Sequence, residues 1–201
     1  MLLVIETAFA ILSVALLDGD RIAAEIHEHV GRGHAEALMP AVAKVVDGAG
    51  ASVTGIVVDI GPGSFTGLRI GIAAARALGL AWNVPVTGTG SLTLVAAAAF
   101  AGSPGLDAVA VVADAGRGQI YWQVFDRGCL PRTSAQATAP VDIIIPKGIA
   151  LAGSGTYLVD GDYGQLGITH ARAADARFVP LSQRSLPPMP IYSRGPDAAA
   201  A

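Results

Sequence analysis

"IGPGSFTGLRIG", residues 60–71, packs Gly61, Gly63, Gly67 and Gly71 into one short stretch directly after an apolar run. Such a stretch either cradles a phosphate or turns a strand tightly into a helix. A Walker loop, G-x-x-x-x-G-K-[ST], needs its lysine to reach the β- and γ-phosphates, and no lysine stands here. Gly61, Gly63 and Gly67 fit a loose G-x-G-x-x-x-G dinucleotide loop, but Pro62 brings no N–H. The acidic residue that a ribose needs about 20 positions on is replaced by "LAWNVP". A nucleophile elbow, G-x-S-x-G, is absent because Ser64 follows Gly63 directly. What remains is a strand-to-helix turn in which Ser64 or Thr66 caps the helix. An anion at the helix N-terminus is the alternative.

The helix that follows carries small residues every fourth position: Gly67, Gly71, Ala75 and Gly79. Each interior glycine costs about 1 kcal/mol relative to alanine, so the ridge implies that another backbone comes very close. Leu68, Ile70, Ile72, Leu78 and Leu80 cover the other sides, with Arg69 and Arg76 the only charges. A helix apolar nearly all round is buried on more than one side. The second cover is either the chain's own body or another subunit, and the ridge favours another subunit.

Working outward, Leu2–Glu6, Ser13–Leu17 and Arg21–His29 read as an antiparallel meander, with a turn at Asp18-Gly19-Asp20. His34–Val46 reads as a helix with Leu38, Val42, Val45 and Val46 on one stripe. Pro40 kinks it or marks its first turn, and Gly48 and Gly50 end it. Gly55–Ile60 is a buried strand, 84–88 a further short one, and Ser91 caps a third helix running to Phe100. The turn formers of "AGSPGLD", 101–107, divide the chain into a first lobe, 1–101, and a smaller second lobe with an extended tail, 102–201. In the second lobe, Ala108–Asp114 and Gln119–Phe125 flank the turn "AGRG", and 148–155 holds another strand. From Arg177 on, prolines predict an extended tail, and the final "DAAAA" is expected to fray. Strands that meander and then alternate with helices give an α/β class with a mixed sheet, in the element order of the actin-like ATPase (ASKHA) fold.

Composition narrows the function. The chain has 201 residues, 52% hydrophobic and 14% charged, and a mean hydropathy of +0.54. It is therefore globular rather than disordered. Arg76 interrupts the most apolar window, 70–82, which is too short to span a bilayer. "MLLVIETAF" has no basic n-region. A single cysteine, Cys129, excludes a disulfide framework, and the expected location is cytoplasmic. Net charge −3, with 13 scattered Lys and Arg, disfavours direct, strong RNA binding by this chain alone.

The chemical inventory is thin. His27 and His29 share one face of a strand, which reads as a solvated edge. His34 starts a helix, and Leu38 stands where an H-x-x-x-H metal pair needs its second histidine. Glu6, with Thr7 beside it, ends the first strand where an actin-like ATPase keeps a phosphate-binding hairpin. The hairpin here lacks glycine, and Phe9 would crowd a phosphate. Asp114 ends the first strand of the second lobe. Glu6, Thr7, Ser64, Thr66 and Asp114 are thus the vestigial nucleotide or anion candidates. No nucleophile–base–orienter set can be assembled, and neither catalytic nor metal residues are assigned.

"GPGSFTGLRIG" (61–71), "HAEALMP" (34–40), "GTGSL" (88–92), "DAGRGQIYW" (114–122) and "PIYSRGPDA" (190–198) together resemble the TsaB (YeaZ) family. The resemblance implies an actin-like fold and a degenerate paralogue of the transferase TsaD. It implies a scaffold that, with TsaD and the ATPase TsaE, serves the synthesis of N6-threonylcarbamoyladenosine at position 37 of tRNAs. It also implies contact with TsaD through the first two helices, and self-association through the same surface. Carried onto this sequence, the partner surface is expected at His34, Leu38, Val42, Val45, Gly67, Arg69, Gly71, Ala75, Arg76 and Gly79. Glu6 stands in place of the more usual aspartate, and Gln119 where an acidic residue is common. No firm cofactor follows, and weak ATP or ADP binding is expected only at a partner interface. The rival expectations are a small actin-like ATPase or kinase using Glu6 and Asp114, and a peptidase, for which the inventory offers neither metal nor nucleophile.

Overall fold

The computed structural model describes residues 1–50 and 52–193. β1 (Leu2–Glu6), β2 (Ile11–Asp18) and β3 (Arg21–His29) form the expected antiparallel meander. α1 (His34–Ala49) leads to β4 (Gly55–Asp59), α2 (Phe65–Trp82) to β5 (Val86–Thr89), and α3 (Ser91–Gly102) leaves the first sheet. That sheet has the order β3-β2-β1-β4-β5, with β4 parallel to both β1 and β5. β6 (Ala108–Gly116) and β7 (Gln119–Asp126) build a second sheet with β8 (Leu130–Pro131), β9 (Gln136–Thr138) and β10 (Ala150–Ala152). The mixed sheets in this order are the expected actin-like α/β fold.

α1 and α2 cover one face of the first sheet. Leu38, Val42 and Val45 of α1 and Ile72, Ala75 and Leu78 of α2 pack on Leu3, Ile5 and Val58. On the opposite face lies α3, which packs between Val4 and Val57 of one sheet and Val109 and Val111 of the other. Its apolar residues run all round because both sides are covered.

Local endings follow capping chemistry. Ser64 caps α2, its Oγ accepting from the Gly67 N–H at 3.2 Å. Asn83, in the left-handed region, closes the other end. α1 runs through Gly48 to a left-handed Gly50, and Pro40 lies inside it rather than at its first turn. Ser91 is no cap: Gly90 holds that place, and the Ser91 hydroxyl donates to Asp59 Oδ1 at 2.7 Å.

After β10 the chain returns to the first lobe. Arg172 pairs with Glu25 through Nη2 at 2.7 Å, and the Ala173 N–H donates to the buried Ser13 Oγ at 2.9 Å. A 3-10 turn (Ala173–Phe178) and the four-residue α4 (Leu181–Arg184) follow. The tail then runs extended along α2, pairing Leu186 with Gly88 and bonding Ile191 N–H to Ile60 O at 2.7 Å. "DAAAA" and the residues from Arg194 on lie outside the described part.

Candidate functional site: the interlobe cleft and the outer helical face

The glycine loop answers its own question through its donors. Gly61 N–H donates to Asp59 Oδ1 at 2.7 Å, Ser64 N–H to Ala8 O at 2.7 Å, and Gly67 N–H to Ser64 Oγ. A Cβ on Gly63 would sit 2.6 Å from both Cβ and O of Ala8. The glycines let the loop lie against the β1–β2 hairpin, and three of its amides, those of Gly61, Ser64 and Gly67, are engaged within the chain.

Parallel register places Glu6 and Asp59 side by side, at the ends of β1 and β4. Both are buried. Glu6 Oε1 accepts from Ala8 N–H at 2.7 Å, and Asp59 Oδ1 accepts from Gly61 and Ser91. Asp59 Oδ2 is buried with no hydrogen-bond partner among the described residues. Burial pushes Asp59 up to about 7. Burial, and then the Asp59 charge, hold Glu6 well above the usual carboxylate range. The pair therefore keeps a proton at neutral pH, as two adjacent buried carboxyls must.

Between the lobes lies a cleft of about 960 Å³. Ala8 and Phe9, Ser64 and Thr66, and Asp114 line it, with His29, Arg32 and His34 at the α1 end. Asp114 is already partnered: Oδ1 accepts from Gly116 N–H at 2.7 Å and Oδ2 from Tyr157 OH at 2.8 Å. That bond pushes the Tyr157 hydroxyl up. Of the vestigial nucleotide candidates, Ser64, Thr66 and Asp114 reach this cleft. Glu6 and Thr7 do not. Glu6 is withdrawn beside Asp59, and the buried Thr7 hydroxyl donates to Gly67 O at 2.9 Å. Asp114 is the one carboxylate among the described lining residues, each of its oxygens accepts one hydrogen bond from within the chain, and Phe9 lines the same cleft. Among the described residues no group of three or more His, Cys, Asp or Glu is placed to hold a metal ion. Nor is any helix long and apolar enough to cross a membrane.

Residues 21–141 match the family described as "TsaD: tRNA N6-adenosine threonylcarbamoyltransferase". A Mycobacterium tuberculosis protein, "Rv3421c", is 34% identical over 83% of this chain and 78% of its own length. The "tRNA threonylcarbamoyladenosine biosynthesis protein TsaB" of Escherichia coli is 35% identical over 63% of this chain and 55% of that protein. Two solved Pseudomonas aeruginosa structures align over nearly the whole chain. One, described as similar to peptidase YeaZ, has a TM-score of 0.81 at 26% identity, covering 96% of this chain and 99% of that one. The other, YeaZ itself, has a TM-score of 0.77 at 26% identity, covering 95% and 98%. This chain belongs to the TsaB (YeaZ) family.

For this TsaB-family chain, the expected partner surface needs correction. Leu38, Val42 and Val45 point into the core, and His34 is buried. The ridge is filled by the chain's own sheet. A Cβ on Gly67 would collide with Thr7 O, on Gly71 with Thr7 Oγ1, and on Gly79 with Val86 Cγ2, while Ala75 is fully buried. The close backbone that the ridge calls for is the end of β1, not another subunit. Arg69 and Arg76 are exposed but hold the tail. Arg69 lies 3.6 Å over the Phe65 ring and donates to Tyr192 OH at 3.2 Å, and Arg76 donates to Pro188 O at 2.6 Å.

What the helices turn outward is a neighbouring column. Ala35, Met39 and Ala43 are exposed on α1, and Ala73, Ala77 and Leu80 on α2, with Leu80 86% exposed. The sequence signal for this face is its alanines, Met39 and Leu80, interspersed with Glu36, Lys44, Arg69 and Arg76. The glycine period drew attention one column aside. His29 is exposed on β3, the edge strand of its sheet, as expected, whereas His27 is partly buried. His27 faces the second lobe, and burial first, then Arg172, lower its pKa.

Proposed function

We propose that this chain is a non-catalytic subunit of the assembly that makes N6-threonylcarbamoyladenosine at position 37 of tRNA, and that it holds a TsaD-like transferase. Family membership supports the pathway. The observation that carries the subunit role is the outer face of α1 and α2, where Ala35, Met39, Ala43, Ala73, Ala77 and Leu80 stand exposed among the charged Glu36, Lys44, Arg69 and Arg76. Exposed apolar residues rimmed by charged ones mark protein contacts. The cleft supports the non-catalytic part, since its carboxylate and the Gly61 and Ser64 amides of the glycine loop are engaged within the chain.

On this reading a TsaE-like ATPase joins through the transferase, tRNA is met only within the assembly, and the location is cytoplasmic. Free copies pair through the same outer face. An adenine nucleotide held by the assembly sits at the partner interface rather than in the cleft. The test is Ala77→Arg. Ala77 is exposed, so folding is spared. The variant should melt like wild type and lose co-purification with the transferase. Capture at wild-type affinity would remove the outer face from the proposal, and saturable ATP binding with turnover by the isolated chain would replace it with the ATPase reading.

A further inference from the structure

A second cavity, of about 490 Å³, lies between the C-terminal end of α3, β3 and the segment 168–178. Its volume falls within the range of small-molecule sites, about 300–1,000 Å³. Nothing in the proposed function uses it, and its position away from the outer face of α1 and α2 makes it independent of that reading.

The polar groups in it are sorted by sign and depth. Asp175 is 8% exposed and lines the cavity, and it accepts no hydrogen bond from the described residues. Arg172 and Arg177 act on it only through charge. The Asp175 carboxylate opens into the cavity, where a donor can reach it. His27 contributes an unmet group, its Nδ1 buried with no partner among the described residues. At the rim stand His170 and Arg172, both exposed. His170 Nδ1 is engaged with Thr169 Oγ1 at 2.8 Å, which leaves its Nε2. Arg172 bonds Glu25 through Nε and Nη2, and Nη1 takes no part. The walls between are apolar: Ala98, Ala101, Ile168 and Phe178.

We propose that this cavity binds a free α-amino acid as its zwitterion. The ammonium donates to Asp175 on the floor, the carboxylate meets His170 and Arg172 at the rim, and a short apolar side chain lies against Ala101 and Phe178. An amine alone would satisfy Asp175 and leave Arg172 Nη1 and His170 Nε2 without an acceptor. A carboxylic acid alone would bring a second negative charge over Asp175. A ligand that carries both an ammonium and a carboxylate answers floor and rim together.

The experiment follows the imidazole NMR signals of His27 and His170 in the full chain during titration with L-leucine, 3-methylbutylamine and 4-methylpentanoate. Leucine should give saturable shifts with a dissociation constant of about 1 mM or tighter, and each analogue should bind at least about tenfold more weakly. Asp175→Asn removes the floor charge while keeping its shape, and should weaken leucine at least about tenfold. Ala101→Phe, on an exposed turn of α3, should block the cavity without disturbing the fold. The proposal is overturned if leucine gives no saturable shift, if the amine binds as tightly as leucine, or if either variant binds like wild type. Capture of the transferase is a separate readout, so failure here leaves the proposed function standing, and failure there leaves the cavity's.

Discussion

Gly67→Ala tests whether the small-residue ridge belongs to the chain's own core. The added Cβ would meet the Thr7 carbonyl oxygen and lie 3.3 Å from its carbonyl carbon, so a backbone rather than a mobile side chain must give way. Overpacking of a tight contact costs about 1–3 kcal/mol. Moving α2 off β1 also disturbs the buried Thr7 hydroxyl bond to Gly67 O, worth about 0.5–1.5 kcal/mol net. Against this, replacing a helical glycine by alanine returns at most about 1 kcal/mol. The balance is a loss of about 2 kcal/mol, which at about 2–4 °C per kcal/mol for a chain of this length lowers Tm by about 4–8 °C. Thermal unfolding followed by circular dichroism reads it directly, with Ala73→Ser on the exposed face as the control, expected within about 0.5 kcal/mol of wild type. A Gly67→Ala protein that melts with wild type would refute the close approach. If it also lost the transferase at unchanged Tm, the ridge would be a partner surface after all.

The Glu6–Asp59 pair makes stability depend on pH in a stated direction. Both carboxyls have raised pKa values in the folded state, so folding holds protons that the unfolded chain releases. The contribution is full below the ordinary carboxylate range and is lost as pH rises through about 7 for Asp59. Urea midpoints should therefore fall from pH 5 to pH 8 more in wild type than in Asp59→Asn, and parallel profiles would contradict the pair. Arg69→Ala removes the stacking on Phe65 and the bond to Tyr192. Cation–π contacts at exposed sites contribute about 0.5–1 kcal/mol, so Tm should barely move while amide exchange at Ile191 quickens. Unchanged exchange at Ile191 would show that the arginine does not hold the tail.

The first lobe was legible because its signals are local. β1, β3 and the helices at His34 and Ser64 show clean periodicity, turn formers and caps, and the structure keeps them with small changes at their ends. The second lobe was less legible because its elements are short. β8, β9 and α4 hold two to four residues each, and segments that brief are fixed by pairing partners far along the chain. The site errors share one cause. Period gives the column of a helix on which small residues lie but not what faces that column. Gly67 and Gly71 signal a close neighbour equally well whether it is Thr7 or a foreign chain. Asp59 was passed over as the end of an apolar strand, since only the register of β1 against β4 brings it to Glu6.

That register bears on how a fold built around a cleft can support a subunit role. At the end of β1, which lies between β2 and β4, Glu6 is buried beside Asp59 and accepts from the Ala8 N–H. The neighbouring loop closes its amides on Asp59, Ala8 and Ser64, and Asp114 across the cleft is held by Gly116 and Tyr157. Each arrangement stabilises the hairpin or loop that carries it and removes a group that a phosphate would use. The same loop starts α2, and β1 presses on the ridge of α2, so fixing the cleft also fixes the angle at which Ala73, Ala77 and Leu80 face outward. Rigidity gained at the cleft is thus passed one helix further out, to the face proposed above for a partner.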